Sequence, residues 1–270
     1  MIAVEELVHV YEGGTRAVDG VSLEVGAGER VAIVGQNGSG KSTLVRHFNG
    51  LLRPTAGRVT VDGQDAAGRR VAQLARTVGL AFQDPDRQIF AGRVRAEVAF
   101  GPRNLGLQGA ELERAVDGAL EATGLGPFAD ANPYDLGYSR RKILALASVI
   151  AMGTPVVILD EPTTGQDARG VDRVQRIVRD LTGAGRTVVA ISHDMRFVAE
   201  TFERVMVMRQ GQVALDGPPA EVFAEPAWPI LASTFLEPPL AARLGARLGI
   251  VSPTVDALVA GLAGQVRAPG

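Results

Sequence analysis

The 270-residue sequence contains no cysteine. This absence excludes disulfides, thiolate metal sites and cysteine nucleophiles together, and it is compatible with a reducing compartment. Lysine is scarce while arginine is plentiful, which we attribute to a GC-rich coding bias rather than to function. Any chemistry in the chain therefore has to rest on other residue types.

Long apolar runs and a basic charge excess are also missing. No stretch approaches the roughly 18–20 residues that a membrane helix needs, and no secretory signal is visible at the start. A membrane connection would then have to come through a partner protein. The net charge of −2 gives no sign of a nucleic-acid partner, whereas 46% hydrophobic residues suffice for a sizeable core.

Strand-like runs dominate the first third of the chain, because β-branched and apolar residues cluster between turn signals. They cover Ile2–Val10, Val21–Val25, Arg30–Val34, Arg58–Val61 and Thr77–Phe82. From about Asp84 to Met152 these signals give way to helical spacing, which predicts a helical insertion.

The remaining third alternates again. Two apolar strands, Val156–Asp160, which ends in an acid, and Arg186–Ile191, flank a helical pattern, and a hairpin follows around Gln210-Gly211. Strands that are apolar on both faces and alternate with helices indicate a parallel sheet covered on both sides, so we predict an α/β fold. From about Trp228 onward, short helical patterns form a C-terminal extension, and we expect a frayed tail from Gln265 to Gly270.

A glycine-rich segment lies between the predicted strand Arg30–Val34 and a helical pattern. It fits the P-loop pattern, in which glycines let backbone N–H groups surround a phosphate chain and the helix N-terminus faces the anion. We expect Lys41 to reach the β- and γ-phosphates and Ser42 to hold Mg²⁺. The predicted nucleotide-binding residues here are Gly35, Asn37, Gly38, Ser39, Gly40, Lys41, Ser42 and Thr43.

Polar side chains follow three of the predicted strands. Asp160 ends a buried strand and is expected to bind Mg²⁺, while Glu161 can act as the general base for an attacking water. Gln83 is positioned to contact Mg²⁺ and that water, and His193 to hydrogen-bond the γ-phosphate. Tyr11 follows the first strand. Its ring can stack on an adenine, or it can be a surface tyrosine at the strand end without a ligand.

These motifs, in this order, resemble the ABC transporter ATPases: Walker A at 35–42, a Q-loop at Gln83, Walker B at 156–161, a D-loop at 164–167 and a switch histidine at His193. The resemblance implies a P-loop NTPase with a RecA-like parallel core sheet, an antiparallel β-subdomain, a helical insertion and a small C-terminal helical extension. The implied domains are an ATP-binding core over 1–83 and 153–227, a helical subdomain over 84–152 and an extension over 228–270. The implied cofactors are ATP and Mg²⁺.

A narrower resemblance rests on Phe82–Phe90 and Glu97–Pro102, which look like the ATPases of energy-coupling factor transporters, including the CbiO type. It implies an ATPase on the cytoplasmic face of a bacterial membrane, bound to an integral coupling protein and a substrate-binding membrane component. The implied cargo is a vitamin or a cobalt or nickel ion. It also implies that the C-terminal extension helps the ATPases dimerise, although its leucines could equally pack on this chain's own core.

One segment departs from the family pattern. The family signature Leu-Ser-Gly-Gly-Gln completes the ATP site of the opposing subunit, but here that position reads Leu136-Gly137-Tyr138-Ser139-Arg140. We expect Tyr138 to obstruct the approach, leaving Gly137, Ser139 and Arg140 as candidate contacts in trans. This chain's own acids are complete, so the resemblance favours a heterodimer with unequal sites over a homodimer.

Two other classes remain open at this stage. Some ABC ATPases act on ribosomes or DNA, but those carry two cassettes or long coiled-coil insertions. A regulatory P-loop protein without ABC chemistry would not need the ordered set of Gln83, Asp160, Glu161 and His193.

Overall fold

The strands form two sheets, as seen in a computed structural model that describes residues 1–267. In chain order the strands are β1 (Ile2–Val10), β2 (Arg16–Val25), β3 (Arg30–Val34), β4 (Ala56–Val61), β5 (Gln64–Asp65), β6 (Val78–Ala81), β7 (Val156–Asp160), β8 (Thr187–Ile191), β9 (Arg204–Arg209) and β10 (Gln212–Gly217).

Helices account for most of the remaining ordered chain. They are α1 (Lys41–Phe48), α2 (Val71–Leu74), α3 (Val94–Leu105), α4 (Gly109–Thr123), α5 (Tyr138–Ala151), α6 (Ala168–Gly183), α7 (Met195–Thr201), α8 (Pro219–Val222), α9 (Trp228–Ala232), α10 (Leu240–Arg247) and α11 (Val255–Arg267). Within residues 1–267, no helix combines the length and hydrophobicity that crossing a bilayer requires.

The larger sheet has the order β10-β9-β3-β8-β7-β6, and its five strands from β9 to β6 are parallel. Both faces of these strands are buried, as the sequence predicts, because helices cover the sheet on both sides. The smaller sheet, β2-β1-β4-β5, is antiparallel. The predicted α/β fold with a parallel core sheet and an antiparallel sheet is confirmed.

The hairpin predicted around Gln210-Gly211 is formed by β9 and β10. Gln210 and Gly211 both have positive φ, 50° and 82°, which matches the twist of a two-residue hairpin turn. The helical insertion begins later than predicted: residues 84–93 contain one short 3₁₀ turn, Pro85–Arg87, and the first α-helix starts at Val94. Asp84 caps that turn by accepting a hydrogen bond from the Asp86 N–H, and Pro85 favours the tight start.

Two apolar clusters make up the core. One lies between the antiparallel sheet, α1 and one face of the parallel sheet, and the other joins the opposite face to α3, α4, α5 and α6. The parallel sheet is therefore the shared wall, and its strand ends are held rigidly from both sides.

The C-terminal extension leaves much of its apolar surface uncovered. Leu240 and Leu244 on α10 are exposed, as are Leu248 directly after it and Val259 on α11. These side chains therefore do not pack on the chain's own core, which was one of the two predicted alternatives. Packing on a second subunit stays a prediction. The predicted frayed tail is wrong for Gln265–Arg267, which continue α11; residues 268–270 lie outside the described part.

Candidate functional site

The P-loop runs from the end of β3 to the first turn of α1. Its glycines are required by close backbone contacts: a β-carbon at Gly35 would lie 2.3 Å from the Met208 carbonyl oxygen, and one at Gly40 would lie 2.3 Å from that of Ala17. Both also have positive φ, 148° and 103°. The loop is thus pressed against β9 and β2, and only glycine fits at these two positions.

Lys41 places its ammonium inside this loop. Its Nζ donates hydrogen bonds to the carbonyl oxygens of Gly35, at 2.7 Å, and Gln36, at 2.9 Å. Burial lowers the pKa of Lys41, and the negative charges of Glu161 and Asp160 oppose that shift. The predicted phosphate-binding lysine therefore lies close enough to Asp160 and Glu161 to interact electrostatically with both carboxylates.

Asp160 ends β7, beside Ile191 at the end of β8. Burial raises the pKa of its carboxyl, the charge of Glu161 raises it further, and the Ser42 side chain opposes the shift. Its Oδ1 is buried without a hydrogen-bond partner. A hard cation would satisfy this oxygen, so the pair Asp160 and Ser42 fits Mg²⁺.

Other carboxylates do not complete a metal cage here. Among residues 1–267 no cluster of three or more histidine or acidic side chains could hold a metal ion. Mg²⁺ commonly binds through one or two protein ligands together with substrate phosphates. The donor set thus fits a metal that enters with a nucleotide.

Glu161 adopts an unusual backbone conformation. Its φ is 52°, a left-handed value that non-glycine residues rarely take, and its N–H donates to the Ile191 carbonyl oxygen at 2.9 Å. Its buried Oε2 lies 2.7 Å from His193 Nδ1, although the angles do not make a hydrogen bond. The two residues predicted as base and γ-phosphate contact are in direct contact with each other.

Most of the predicted site residues line one cleft. Gln83 lies two residues beyond the end of β6 and is exposed on its wall. The lining residues are Asn37, Gly38, Gly40, Lys41, Ser42, Thr43, Gln83, Asp160, Glu161 and Ile191.

Tyr11 lies next to this cleft without lining it. Its hydroxyl is 3.0 Å from the Thr43 hydroxyl, and its ring meets the His9 ring edge-on, with centroids 4.6 Å apart. Behind them His47 Nε2 lies 3.1 Å from His9 Nδ1. Burial lowers the pKa of His47, which favours the neutral form of that ring. Stacking of Tyr11 on an adenine stays a prediction.

The degenerate signature segment lies at the start of α5, with Gly137 as N-cap. The Ser139 hydroxyl donates to Gln166 Oε1 at 2.8 Å, and Gln166 Nε2 donates back to the Ser139 carbonyl oxygen at 3.0 Å. Tyr138 packs on Gly165, where a β-carbon would lie 2.8 Å from the ring. This segment is therefore attached to the D-loop of its own chain.

Arg140 points elsewhere in the same subdomain. Its guanidinium lies over the Phe128 ring, 4.5 Å from the centroid. Gly137, Ser139 and Arg140 lie outside the cleft described above. Their predicted role in an opposing subunit's site stays a prediction.

Sequence reasoning missed Lys142. This lysine on α5 is 5% exposed, and its Nζ donates a hydrogen bond to the carbonyl oxygen of Glu161. Burial lowers the pKa of Lys142, while the charges of Glu161, Asp160 and Asp84 raise it. The signal available in the sequence is its place: a lysine immediately before the apolar run Ile143–Ala147 of a helix.

Comparison with known proteins places this chain in a family. The family model described as ABC transporter matches residues 18–164. A putative ABC transporter ATP-binding protein of Methanosarcina acetivorans is 43% identical over 93% of the chain, and the chain spans only 41% of that relative's length. An energy-coupling factor transporter ATP-binding protein, EcfA2, of Symbiobacterium thermophilum is 46% identical over 84% of the chain and 81% of its own length.

A solved structure agrees with these relatives. CbiO1 of Clostridium perfringens, described as part of the ABC transporter complex CbiONQ, superimposes with a TM-score of 0.76 at 38% identity. The match covers 84% of this chain and 92% of that one.

Proposed function

Since the chain belongs to the ABC transporter family, as a relative of the energy-coupling factor ATP-binding proteins, we propose that it binds and hydrolyses ATP to power an importer. The observation that carries this proposal is the convergence of Lys41, Asp160 and Glu161 on one cleft at the carboxyl ends of β3 and β7. Ligands bind at this edge in open parallel sheets, and here one edge supplies a cation, a metal-binding carboxylate and a second carboxylate.

Each of these groups has a distinct part in the proposed reaction. The P-loop N–H groups and Lys41 hold the β- and γ-phosphates, and Ser42 and Asp160 hold Mg²⁺. When bound, Mg²⁺ supplies neutralisation of the phosphate charge. Glu161 orients the attacking water and accepts its proton, while Gln83 and His193 contact the water and the γ-phosphate.

A second cassette is the first proposed partner. In this family the opposing subunit's signature completes each ATP site. Here Tyr138 and Ser139 stand where the family signature has its two glycines. A heterodimer would pair this chain's intact acids with an intact signature, so we favour it, while a homodimer would combine two weakened sites. The exposed apolar face of α10 and α11, including Leu240, Leu244 and Val259, suits the dimer contact that the resemblance implies.

An integral membrane coupling protein is the second proposed partner. Phe90 and Phe100 are exposed, at 59% and 47%, and their rings meet edge-to-face with centroids 4.6 Å apart. The buried carboxylate of Glu97 holds the loop beneath them by accepting hydrogen bonds from the N–H groups of Phe90 and Ala91. This fixed aromatic pair beside the Q-loop is suited to receive an apolar segment of a membrane protein.

The finer assignment concerns place and cargo. We propose the cytoplasmic face of a bacterial membrane, a separate substrate-binding membrane component, and a vitamin or a cobalt or nickel ion as cargo. The support is the resemblance at Phe82–Phe90 and the similarity to CbiO1.

Two measurements test the proposal. Purified with its native membrane neighbours, the chain should co-purify with an integral membrane protein, and the double substitution F90A/F100A should abolish that association. The complex should release phosphate from MgATP, and Lys41→Ala should remove nucleotide binding. A chain that binds no MgATP at millimolar concentration would exclude an ATPase, and one that hydrolyses ATP but never associates with a membrane protein would exclude the transport role.

A further inference from the structure

Lysine usage singles out one residue that the proposed reaction does not yet employ. Of the 28 lysines and arginines in the chain, two are lysines, Lys41 and Lys142. Both are buried, at 7% and 5% exposure, and both interact with the charges of Asp160 and Glu161. Lysine is thus confined to two places around the acidic pair, one approached from the P-loop and the other from α5.

Lys142 holds the backbone of Glu161 at the point where that backbone is strained. The left-handed φ of 52° at Glu161 is costly for a residue with a side chain, and such conformations persist only where the surroundings fix them. The Glu161 N–H is fixed by the Ile191 carbonyl oxygen, and the Glu161 carbonyl oxygen is fixed by Lys142 Nζ. The peptide groups on both sides of the Glu161 Cα are therefore anchored, one by β8 and the other by α5.

An ammonium suits this place for two physical reasons. It is a compact cation that reaches the carbonyl oxygen through a narrow apolar stem, whereas a guanidinium is broad and planar. Its charge also faces the carboxylates of Asp160, Glu161 and Asp84, which compensates for its burial. A neutral apolar side chain would leave the Glu161 carbonyl oxygen without this donor.

The same helix contacts the loop after Glu161 a second time. Ser139 and Gln166 exchange two hydrogen bonds, and Tyr138 packs on Gly165. The segment from Glu161 to Gln166 is thus attached to α5 at both of its ends.

We propose that Lys142 is a positioning residue for Glu161, through which α5 and its signature segment set the geometry of the chain's own catalytic glutamate. The inference rests on the proposed function insofar as Glu161 is the base. Lys142 acts through the Glu161 carbonyl oxygen, to which its ammonium donates a hydrogen bond.

The first test needs no activity. Hydrogen–deuterium exchange of the segment 160–166 is measured for the wild type, Lys142→Met, Lys142→Gln and the control Ser148→Ala. Ser148 is a buried polar residue on the same helix that contacts Gln88 instead of Glu161. We expect at least threefold faster exchange in Lys142→Met, an intermediate value in Lys142→Gln, whose amide can still donate, and no change in the control. Unchanged exchange in both Lys142 variants would overturn the proposal.

The second test is kinetic and uses the chain in the complex in which it is purified. Lys142→Met should lower kcat at least tenfold while changing the Kd for MgATP less than threefold, and Lys142→Gln should recover part of the rate. In the Glu161→Gln background, Lys142→Met should cause no further loss, because the residue it positions is already gone. Additive losses in that background would refute the role. If Lys142→Met does not fold, Lys142→Gln carries both tests.

The two proposals fail separately. If the wild type shows no ATP turnover beyond that of Glu161→Gln, the proposed ATPase function is contradicted. The exchange experiment would still decide whether Lys142 holds Glu161. Normal turnover with unaltered exchange and rate in both Lys142 variants would overturn the Lys142 inference alone.

Discussion

His193 Nδ1 lies 2.7 Å from Glu161 Oε2. The histidine side chain is 64% exposed and the glutamate side chain 9%. An exposed side chain after β8 therefore contacts a buried one after β7. A ligand that recruits His193 therefore also changes the surroundings of Glu161. If His193 binds the γ-phosphate as proposed, this contact connects that binding to the residue proposed to activate water.

The role of Glu161 is tested by Glu161→Gln. The amide keeps the shape but cannot accept a proton, so we expect phosphate release to fall at least 100-fold while MgATP binding is retained. Size-exclusion chromatography with MgATP and the partner cassette should then show a stable dimer. Hydrolysis at the wild-type rate would mean that Glu161 is not the base.

The degenerate signature predicts a weak ATPase when the chain is purified alone. Gly137→Ser, Tyr138→Gly, Ser139→Gly and Arg140→Gln together restore the family sequence, and we expect them to raise the rate at least tenfold. The physical reason is that helix N-terminal N–H groups and a hydroxyl become able to approach the opposing γ-phosphate.

Nucleotide affinity and thermal stability serve as controls for that variant. Tyr138 packs on Gly165, so a modest loss of stability is expected, whereas the Kd for MgATP should stay within about threefold. Full activity of the unaltered chain by itself would contradict the prediction of unequal sites.

The buried carboxyl of Asp160 should make the free energy of unfolding fall as the pH rises. Burial raises the pKa of this carboxyl above its ordinary value of 3.8, so the folded state binds more protons than the unfolded state in the window above that value. The contribution of Asp160 to the free energy of unfolding is fully present below the ordinary pKa, and it is lost as the pH rises through the pKa of the folded state.

Asp160→Asn removes that effect. Without Mg²⁺ we expect the variant to have a higher Tm than the wild type at pH 7, with the difference shrinking toward pH 4; each kcal/mol corresponds to about 2–4 °C in a chain of this size. Added Mg²⁺ with nucleotide should stabilise the wild type more than the variant. A lower Tm of Asp160→Asn at pH 7 would contradict the assignment of a buried, under-satisfied carboxylate.

The P-loop offers a matched pair of glycines. Gly38 and Gly40 both have positive φ, but a β-carbon at Gly38 meets no atom within 4 Å, while one at Gly40 would meet Ala17. Gly38→Ala should lower the free energy of unfolding by about 1–2 kcal/mol, the cost of the left-handed backbone. Gly40→Ala should cost clearly more, as measured by urea unfolding, and equal losses would show that the contact with Ala17 relaxes freely.

Local sequence patterns sufficed for the repeating parts of the fold. The apolar runs of β3, β7 and β8 can only be buried on both sides, which dictates a parallel sheet with helices on each face. The glycines between β3 and α1 predict the P-loop because no other residue allows that backbone course. Strand ends then gather Lys41, Asp160 and Glu161 at one edge, as the pattern predicts.

What the sequence by itself determined is therefore the sheet, the phosphate loop and the identity of its acids, because each depends on residues close together in the chain. Only the tertiary structure decided that Lys142 reaches the Glu161 carbonyl oxygen, that Ser139 pairs with Gln166, and that His193 touches Glu161. These contacts join residues 19 to 32 positions apart, and they depend on how α5 and β8 pack beside β7. No local periodicity specifies that packing, since it arises from the fit of complete helices and strands around a common core.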